Sequence, residues 1–201
     1  MTADVWLAGV DEVGRGALFG PVVAAAVLMP ASAIEGLRAI GVKDSKQLSP
    51  RRRQQLVTEI KALVPGWHIS FASVPEIERF NIRQASLLAM ARALQGLPQA
   101  PDHCWIDGQD QIPLCPWPQT PLVRGDQQSP LIAAASILAK VWRDDLMIRV
   151  DQRFPGYALA ANKGYGTIAH RQAIQDQGLT PLHRRHFCRR ILIAGADAAR
   201  E

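Results

Sequence analysis

The amino-acid sequence predicts an α/β fold in which a mixed β-sheet is flanked by helices and followed by a helical extension at the C-terminus. Short apolar runs typical of strands alternate with longer segments. Two of these segments begin at a Ser-Pro pair, the signal for a capped helix N-terminus. The chain has 201 residues, of which 48% are hydrophobic and 20% charged. This length and composition are typical of a globular protein with one domain.

The first half of the chain predicts three strands and at least two helices. Residues 5–10 and 21–29 are apolar runs that predict two strands joined by a turn. A Ser-Pro pair predicts a helix over residues 50–63, and weak alternation over residues 67–73 predicts a half-buried strand. Pro75 and Asn81 then mark the boundaries of one or two predicted helices, whose apolar face continues to Leu94.

The second half predicts two more strands and at least two more helices. A short strand ends at Asp107, and a proline-rich loop leads to a strand near residues 122–124. The second Ser-Pro pair predicts a long helix over residues 132–153, whose first half is small and apolar and can pack tightly on a sheet. Thr167 is expected to cap a helix that Gly178 ends.

Two neighbouring strands followed by alternating helices and strands favour a mixed sheet. If the opening strands pair antiparallel and the helix-linked strands add in parallel, several strand ends meet at one edge. We expect a single domain over residues 1–201. Within it, an α/β core covers about residues 1–160 and a basic, helical extension covers about residues 161–201.

Acidic residues follow three of the apolar runs, and a glycine adjoins the acid after two of these runs and lies two residues beyond the acids after the other. They are Asp11, Glu12, Asp107 and Asp126. An acid beside a glycine is often only a polar turn. Asp11 and Glu12 would face opposite sides of a regular strand, so both serve one site only if the strand ends or twists there. The glycines at 14 and 16 permit such a change of direction.

Four carboxylates at one edge repel one another unless cations lie between them. A ligand set made only of oxygen suits Mg²⁺ or Mn²⁺ and not zinc. Two such ions, about 3.5–4 Å apart, can assist an in-line displacement at a phosphodiester. Glycoside hydrolysis needs only two carboxylates and no basic surroundings. The sequence therefore favours cleavage of a phosphodiester over cleavage of a glycosidic bond.

The charge distribution favours a polyanionic substrate. The net charge is +5, and from residue 181 onward five arginines stand against one aspartate and one glutamate. A second basic cluster occupies residues 51–53. Such runs are often only solvated surface, but beside an acidic cluster they fit nucleic acid, whose phosphates dominate affinity.

Other functional classes are disfavoured by composition. The three cysteines form neither a CxxC pair nor an even framework, so zinc and structural disulfides are not expected. The longest nearly uncharged stretch near the N-terminus, residues 17–33, is too short and too interrupted to span a bilayer. No signal peptide is evident, and we expect a cytoplasmic location.

Motifs spread over about residues 5–190 resemble type 2 ribonuclease H (ribonuclease HII). In order, they are Asp11-Glu12-Val13-Gly14-Arg15-Gly16, Asp44-Ser45-Lys46-Gln47-Leu48, Ile106-Asp107-Gly108, Arg124-Gly125-Asp126, the run from Ile132-Ala133-Ala134-Ala135-Ser136 to Lys140-Val141, and Asn162-Lys163-Gly164-Tyr165-Gly166. Their shared order makes the resemblance far more specific than any one motif.

The resemblance implies an RNase H-like fold and a metal-dependent endonuclease. Such an enzyme cleaves RNA in RNA–DNA hybrids and on the 5′ side of single ribonucleotides embedded in duplex DNA, the nick that ribonucleotide excision repair requires. It leaves 3′-hydroxyl and 5′-phosphate ends. Two Mn²⁺ or Mg²⁺ ions are implied, and the metal-binding catalytic acids by position are Asp11, Glu12, Asp107 and Asp126. We expect a monomer that acts on nucleic acid and not at a membrane, and we see no clamp-binding motif in the C-terminal tail.

The resemblance also implies substrate contacts. Gly14, Arg15 and Gly16 would contact the ribonucleotide 2′-hydroxyl and neighbouring phosphates. Tyr165 would lie near the sugar of the following deoxynucleotide and sense the junction. Lys46 resembles a phosphate contact that Ser45 assists.

Several further residues have ordinary alternatives. Arg184 and Arg185 of the C-terminal basic segment are expected on a phosphate-binding face. His170, His183 and His186 are interpreted as surface or phosphate-contacting residues. Lys140 is expected to form an ion pair with Asp144 four residues later.

Three positions depart from the usual family pattern, and they are Arg124, Trp142 and Asn162. None is one of the four acids, so they bear on substrate preference and not on the presence of activity. A second hypothesis stays open at this point. The chain could be a non-catalytic nucleic-acid-binding module whose acids organise a structural cation.

Overall fold

The computed structural model describes residues 4–43, 45–113 and 115–198. Asp44, the first residue of the predicted Asp44-Ser45-Lys46 motif, lies outside the described residues. The strands are β1 (Trp6–Val13), β2 (Val22–Pro30), β3 (Gly66–Ala72), β4 (His103–Asp107) and β5 (Gln119–Leu122). The helices are α1 (Glu35–Ala39), α2 (Pro50–Leu63), α3 (Val74–Gln95), α4 (Gly125–Gln128), α5 (Pro130–Asp151), α6 (Leu159–Asn162), α7 (Ile168–Gln177) and α8 (Arg185–Ala198).

The five strands form one mixed sheet in the order β3-β2-β1-β4-β5. β1 pairs antiparallel with β2, and β2 pairs antiparallel with β3. β4 adds in parallel to β1, and β5 in parallel to β4. The predicted mixed sheet with flanking helices is therefore confirmed. The crossover from β3 to β4 is helical, whereas the connection from β4 to β5 is a proline-rich loop.

Strand β2 separates two apolar cores. Residues of one parity, such as Ala24 and Leu28, pack in a cluster with α3. Residues of the other parity, such as Ala25 and Met29, pack in a cluster with α2 and α5. Because side chains alternate along a strand, a continuous apolar run is the pattern of a strand covered on both faces.

Helix α5 lies very close to β1, and the sequence explains the distance. Its first half consists mostly of alanine and other small or aliphatic residues, all buried over residues 131–139. A Cβ at Gly9 would lie 2.5 Å from the carbonyl carbon of Leu131, so only glycine fits there. This contact places the start of α5 beside the acidic end of β1.

Two predicted strand ends were wrong. β1 continues through Asp11 and Glu12 to Val13, because β2 offers partners along the whole length, with Glu12 opposite Ala24. β5 ends at Leu122 and does not reach Arg124. Arg124 adopts a left-handed conformation with φ of 54° and leads directly into α4. The chain thus turns sharply at Arg124, two residues before Asp126, so Asp126 lies in a helix and not at the end of a strand.

The last three helices pack on the turn after β1 and on the second half of α5. Their shared core includes Phe19, Met147, Tyr157 and Ile174. The helix predicted between Thr167 and Gly178 is present, with Thr167 accepting a hydrogen bond from the His170 amide. Among the described residues, no helix is both long and apolar enough to cross a membrane.

Candidate active site

The ends of β1 and β4 bring three carboxylates together. Val10 is the register partner of Ile106 in the parallel pair, so the next residues, Asp11 and Asp107, lie side by side. One oxygen each from Asp11, Glu12 and Asp107 lies within 4.8 Å of the others. Asp11 Oδ1 also accepts a 2.7 Å hydrogen bond from the Glu12 amide, so its carboxylate lies toward the next residue of the strand. Consecutive residues thereby serve one site without the strand ending.

The fourth acid reaches the same cavity from a different element. Asp126 lies in α4, is 6% exposed, and lines a cavity of about 360 Å³ together with the other three acids. Its Oδ2 lies 3.4 Å from Nζ of Lys46. Asp107 Oδ1 accepts a 2.7 Å hydrogen bond from the Gly125 amide, which ties β4 to α4. The sequence therefore predicted correctly that the four acids converge, although only three form the tight group.

The electrostatics of this group favour a bound cation. Burial raises the pKa of Asp11 well above its ordinary range, and the charges of Glu12 and Asp107 raise it further. Burial also raises the pKa of Glu12 and of Asp107. Glu12 Oε2 is buried and has no hydrogen-bond partner. An all-oxygen donor set with an orphaned carboxylate oxygen fits Mg²⁺ or Mn²⁺, which would satisfy that oxygen and hold the acids ionised.

Basic side chains border the acids. Arg15 Nη1 lies 3.1 Å from Glu12 Oε1, with the arginine side chain 53% exposed. Lys140 Nζ donates a 2.9 Å hydrogen bond to Asp144, which confirms the predicted i,i+4 pair. Lys140 also lines the cavity. The positive charges thus stand at the rim, where a phosphate could meet them.

A buried pair of hydroxyl groups lies behind the acids. Ser45 Oγ is 3.1 Å from Ser136 Oγ, and both residues are buried. A side-chain hydrogen bond from Ser136 opposes the rise in the pKa of Asp11. From the sequence, residue 136 is interpreted only as part of a small apolar run. A single serine after three alanines was the signal in the sequence that this position needs a polar side chain.

The two glycines of the first motif, Gly14 and Gly16, differ in whether the structure leaves room for a side chain. Gly14 has φ of +91°, and a Cβ there would lie 2.2 Å from Nε of Arg143. Gly16 is exposed, and a Cβ there would meet nothing within 4 Å. Gly14 is therefore required by the fold, whereas at Gly16 the fold leaves space above the backbone.

Arg184 does not lie on the predicted phosphate-binding face. It is 0% exposed, and its guanidinium donates to the main-chain carbonyls of Arg15 and Gly20 at 2.8 and 2.9 Å. A side chain enclosed in this way cannot reach a phosphate. Its role in this structure is to hold the loop after β1. Arg185, the next residue, is exposed at the start of α8.

Arg143 is a second buried arginine, and its burial was not predicted from the sequence. Its guanidinium donates to the carbonyls of Phe19, Pro21 and Lys163 at 3.0, 3.2 and 2.8 Å. It therefore joins the loop after β1 to the loop that carries Tyr165. Position 143 on a long helix gave no signal of burial, because arginine is ordinarily a surface residue.

Tyr165 lines the same cavity as the acids. Its ring lies 5.4 Å from the guanidinium carbon of Arg143 and 5.9 Å from Nζ of Lys140. Asn162, one of the departures from the family pattern, accepts from the Gly164 amide and donates to the Tyr157 carbonyl. This asparagine therefore shapes the loop that presents Tyr165.

The interpretation of His170 and His183 as surface residues was wrong. They are 0% and 1% exposed and contact each other inside the C-terminal core. Neither of the other two departures lines the cavity that holds the acids. Trp142 stacks on Phe71 with ring centroids 6.2 Å apart, and Arg124 is exposed at the turn before α4.

Comparison with known proteins was consistent in sequence and in structure. The family model for ribonuclease HII matches residues 8–190. Ribonuclease HII of Synechocystis sp. is 61% identical over 186 residues, covering 92% of this chain and 98% of the relative. Ribonuclease HII of Acaryochloris marina is 59% identical over 181 residues, covering 90% and 91%.

Solved structures share the fold. The crystal structure of ribonuclease H2 from Pyrococcus horikoshii OT3 superposes with a TM-score of 0.81 at 26% identity, covering 96% of this chain and 99% of that one. The RNase HII in the PCNA:RNase HII complex from Archaeoglobus fulgidus gives 0.75 at 28% identity, covering 90% and 93%. Bst-RNase HIII in complex with Mn²⁺ gives 0.68 at 24% identity, covering 97% and 71%, which is a likeness of fold.

Proposed function

The chain belongs to the ribonuclease HII family of metal-dependent endoribonucleases that cleave RNA in RNA–DNA hybrids, and we propose that it also nicks duplex DNA 5′ of a single embedded ribonucleotide. Cleavage leaves 3′-hydroxyl and 5′-phosphate ends. The observation that carries the proposal is the acidic cavity itself. Three carboxylates lie within 4.8 Å of one another, and the same cavity is lined by Tyr165. Family membership sets aside the alternative of a non-catalytic binding module.

Asp11, Glu12, Asp107 and Asp126 would hold two divalent ions, Mg²⁺ or Mn²⁺. The orphaned Oε2 of Glu12 and the raised pKa of the buried acids support this assignment. When bound, such ions supply an activated water and neutralise charge that develops on the leaving oxygen. A structural relative, Bst-RNase HIII, has been crystallised with Mn²⁺.

The residues around the acids bind and orient the substrate. Arg15 contacts Glu12 through Nη1, and the other N–H groups of its exposed guanidinium can donate to a phosphate. The turn at Gly14 and the bare backbone at Gly16 would let a main-chain group approach the 2′-hydroxyl that distinguishes RNA from DNA. Lys46, 81% exposed, contacts a phosphate, and Ser45 supports the segment through Ser136.

The remaining assignments concern the junction and the flanking duplex. Tyr165 places its ring against the sugar that follows the ribonucleotide. Arg185 at the start of α8 contacts a phosphate further along the duplex. We propose that residues 1–201 act as one domain and as a monomer, with the extension from about residue 161 supplying Tyr165 and Arg185 to the acids of the core.

The test uses a DNA duplex with one ribonucleotide, incubated with the protein and Mg²⁺ or Mn²⁺, with products mapped at nucleotide resolution. We expect a single nick immediately 5′ of the ribonucleotide that disappears with chelator. A duplex of DNA alone and the Asp126→Asn variant serve as controls, and both are expected to stay intact. Cleavage of a long RNA–DNA hybrid without the single nick would overturn the ribonucleotide-specific part of the proposal.

A further inference from the structure

Two buried histidines form a direct hydrogen bond behind the loop that carries Tyr165. His170 lies in α7 and His183 lies just before α8, and their Nε2 atoms are 3.2 Å apart. The pair is enclosed by aromatic rings. Phe19 and Tyr157 each have a ring centroid 4.9 Å from that of His183. Neither imidazole contacts the acids, so the mechanism above leaves both unused.

The outer partners of the pair determine which nitrogen carries each proton. His170 Nδ1 lies 2.9 Å from the carbonyl oxygen of Tyr165, which can only accept, so this nitrogen donates. The backbone N–H of Thr180 donates to His183 Nδ1 at 3.0 Å, so that nitrogen accepts. His183 Nε2 must therefore carry the proton and donate to His170 Nε2. All four ring nitrogens are satisfied when both rings are neutral.

The surroundings keep the pair neutral. Burial lowers the pKa of both imidazoles, and that of His183 falls to about 4. Tyr157 directs its hydroxyl to the Gly178 carbonyl, and Arg184 directs its guanidinium to the carbonyls of residues 15 and 20. Among the described residues, neither imidazole has a carboxylate as an ion-pair partner. A proton added between the two Nε2 atoms would break the link.

We propose that His170 and His183 are positioning residues for Tyr165. The neutral pair ties the Tyr165 carbonyl to the segment that begins at Thr180, and the same carbonyl also accepts the Thr167 amide at 2.9 Å. It thereby fixes the backbone from which the Tyr165 ring enters the cavity. The pair thus acts on junction recognition through the ring and not on the metal-binding acids. This inference rests on the role proposed above for Tyr165.

The first test is spectroscopic and does not depend on activity. In protein labelled with ¹⁵N-histidine at pH 7, we expect His170 as the Nδ1–H tautomer and His183 as the Nε2–H tautomer. A scalar coupling across the Nε2–H···Nε2 hydrogen bond should join them. The opposite tautomers, a charged ring or the absence of the coupling would overturn the assigned network.

The second test is kinetic and uses matched variants. His170→Asn keeps a donor close to the Nδ1 position, whereas His170→Phe keeps only the shape of a ring. We expect His170→Phe to lower kcat/KM on a single-ribonucleotide duplex by about tenfold and on a long hybrid by much less. His170→Asn should recover most of the loss. Equal losses on both substrates, or no rescue by asparagine in a folded variant, would contradict the positioning role.

A double-mutant cycle separates this inference from the proposal on which it rests. Tyr165→Ala should reduce cleavage at a lone ribonucleotide more than cleavage of a long hybrid. If it does not, the junction role of Tyr165 is wrong, whatever the histidines do. If it does, adding His170→Phe to Tyr165→Ala should cause little further loss, because the histidine acts through the missing ring. Additive losses would show that His170 acts on the reaction by another route.

Discussion

Arg184 donates a 2.8 Å hydrogen bond from Nη1 to the carbonyl oxygen of Arg15, 169 residues earlier in the chain. Its Nε donates to the carbonyl of Gly20, so one buried guanidinium holds both ends of the loop after β1. Arg143 binds the carbonyls of Phe19 and Pro21, which flank Gly20 in the sequence. The exposed side chain of Arg15 therefore meets Glu12 from a backbone that buried guanidinium groups hold in place.

Replacement of Arg184 should affect stability, and replacement of its neighbour should not. Arg184→Met leaves two buried carbonyls without their donor, and we expect a loss of about 3 kcal/mol in the free energy of unfolding. Arg185→Met, at an exposed position, should change it by less than about 0.5 kcal/mol. Urea unfolding of both variants measures the difference. A stable Arg184→Met protein would show that the loop does not depend on this guanidinium.

The exposed arginines of α8 should instead determine the salt dependence of binding. Arg185, Arg189 and Arg190 are all exposed. If each meets a phosphate, the triple change to glutamine should reduce the slope of log K against log salt by up to about 3. Binding of a cleavage-deficient Asp126→Asn protein to a duplex, measured at several salt concentrations, gives the slope. The same slope with and without the triple change would exclude this surface from the interface.

The sequence predicted the strands, the capped helices and the convergence of the acids, because those features depend on local signals. Ser49 and Ser129 cap helices at the positions expected, and both side chains accept the hydrogen bond that a cap requires. Burial of polar residues was not predictable in the same way. Arg143 and Arg184 bind carbonyls that are distant in sequence. The spacing of apolar residues along the chain does not predict such contacts.

The acidic site shows the same division between local and distant information. The identity of Asp11 and Glu12 as neighbouring acids is local, and the sequence displays it. That both serve one site depends on the turn of the Asp11 carboxylate toward the Glu12 amide, which is a side-chain conformation. The contact of Ser136 with Ser45 joins residues 91 positions apart, so it emerges only from the packing of α5.

The two glycines of the first motif should respond differently to alanine. Gly14→Ala combines a φ of +91° with a clash against Arg143, so we expect a loss of stability of more than about 1 kcal/mol. Gly16→Ala meets no protein atom and should leave stability unchanged. If the backbone at Gly16 approaches the 2′-hydroxyl, this second variant should still raise KM by about tenfold or more. Unchanged kinetics in Gly16→Ala would mean that the substrate stays clear of this backbone.

Asp11→Asn should separate catalysis from stability. Loss of a partner of a metal ligand typically reduces activity by about 10- to 100-fold, so loss of a ligand should reduce cleavage by at least about 100-fold. Without metal, the variant should unfold at a higher temperature than the wild type. The site raises the pKa of the Asp11 carboxyl because it disfavours the charged form, and asparagine carries no charge there.

Thermal unfolding with chelator and with Mg²⁺ or Mn²⁺ provides the measurement for Asp11→Asn. We expect the metal to raise the Tm of the wild type and to have a much smaller effect on the variant, since binding to the native state stabilises it. Retained binding of the duplex shows that the fold is intact. A wild-type Tm that metal does not change would count against a cation site at these acids.

The histidine pair should make stability fall in mildly acidic solution. Burial holds the pKa of His183 at about 4, against an ordinary value of 6.5, so the unfolded chain takes up a proton before the native protein does. The stabilisation is therefore fully present above pH 6.5 and is lost as the pH falls from 6.5 to about 4. The full loss amounts to about 3 kcal/mol.

The buried acids act in the opposite direction in metal-free protein. Because their pKa values are raised, the native state takes up protons first, and their contribution to stability increases as the pH falls. A comparison of the wild type with His183→Gln cancels this contribution, since glutamine keeps a donor near the Nε2 position but does not titrate. At pH 7 the wild type should be the more stable protein, and the difference between the two free energies of unfolding should shrink by about 2 kcal/mol by pH 5. A difference that stays constant between pH 7 and pH 5 would mean that His183 titrates alike in the folded and unfolded chains, which contradicts a neutral pair held behind Tyr165.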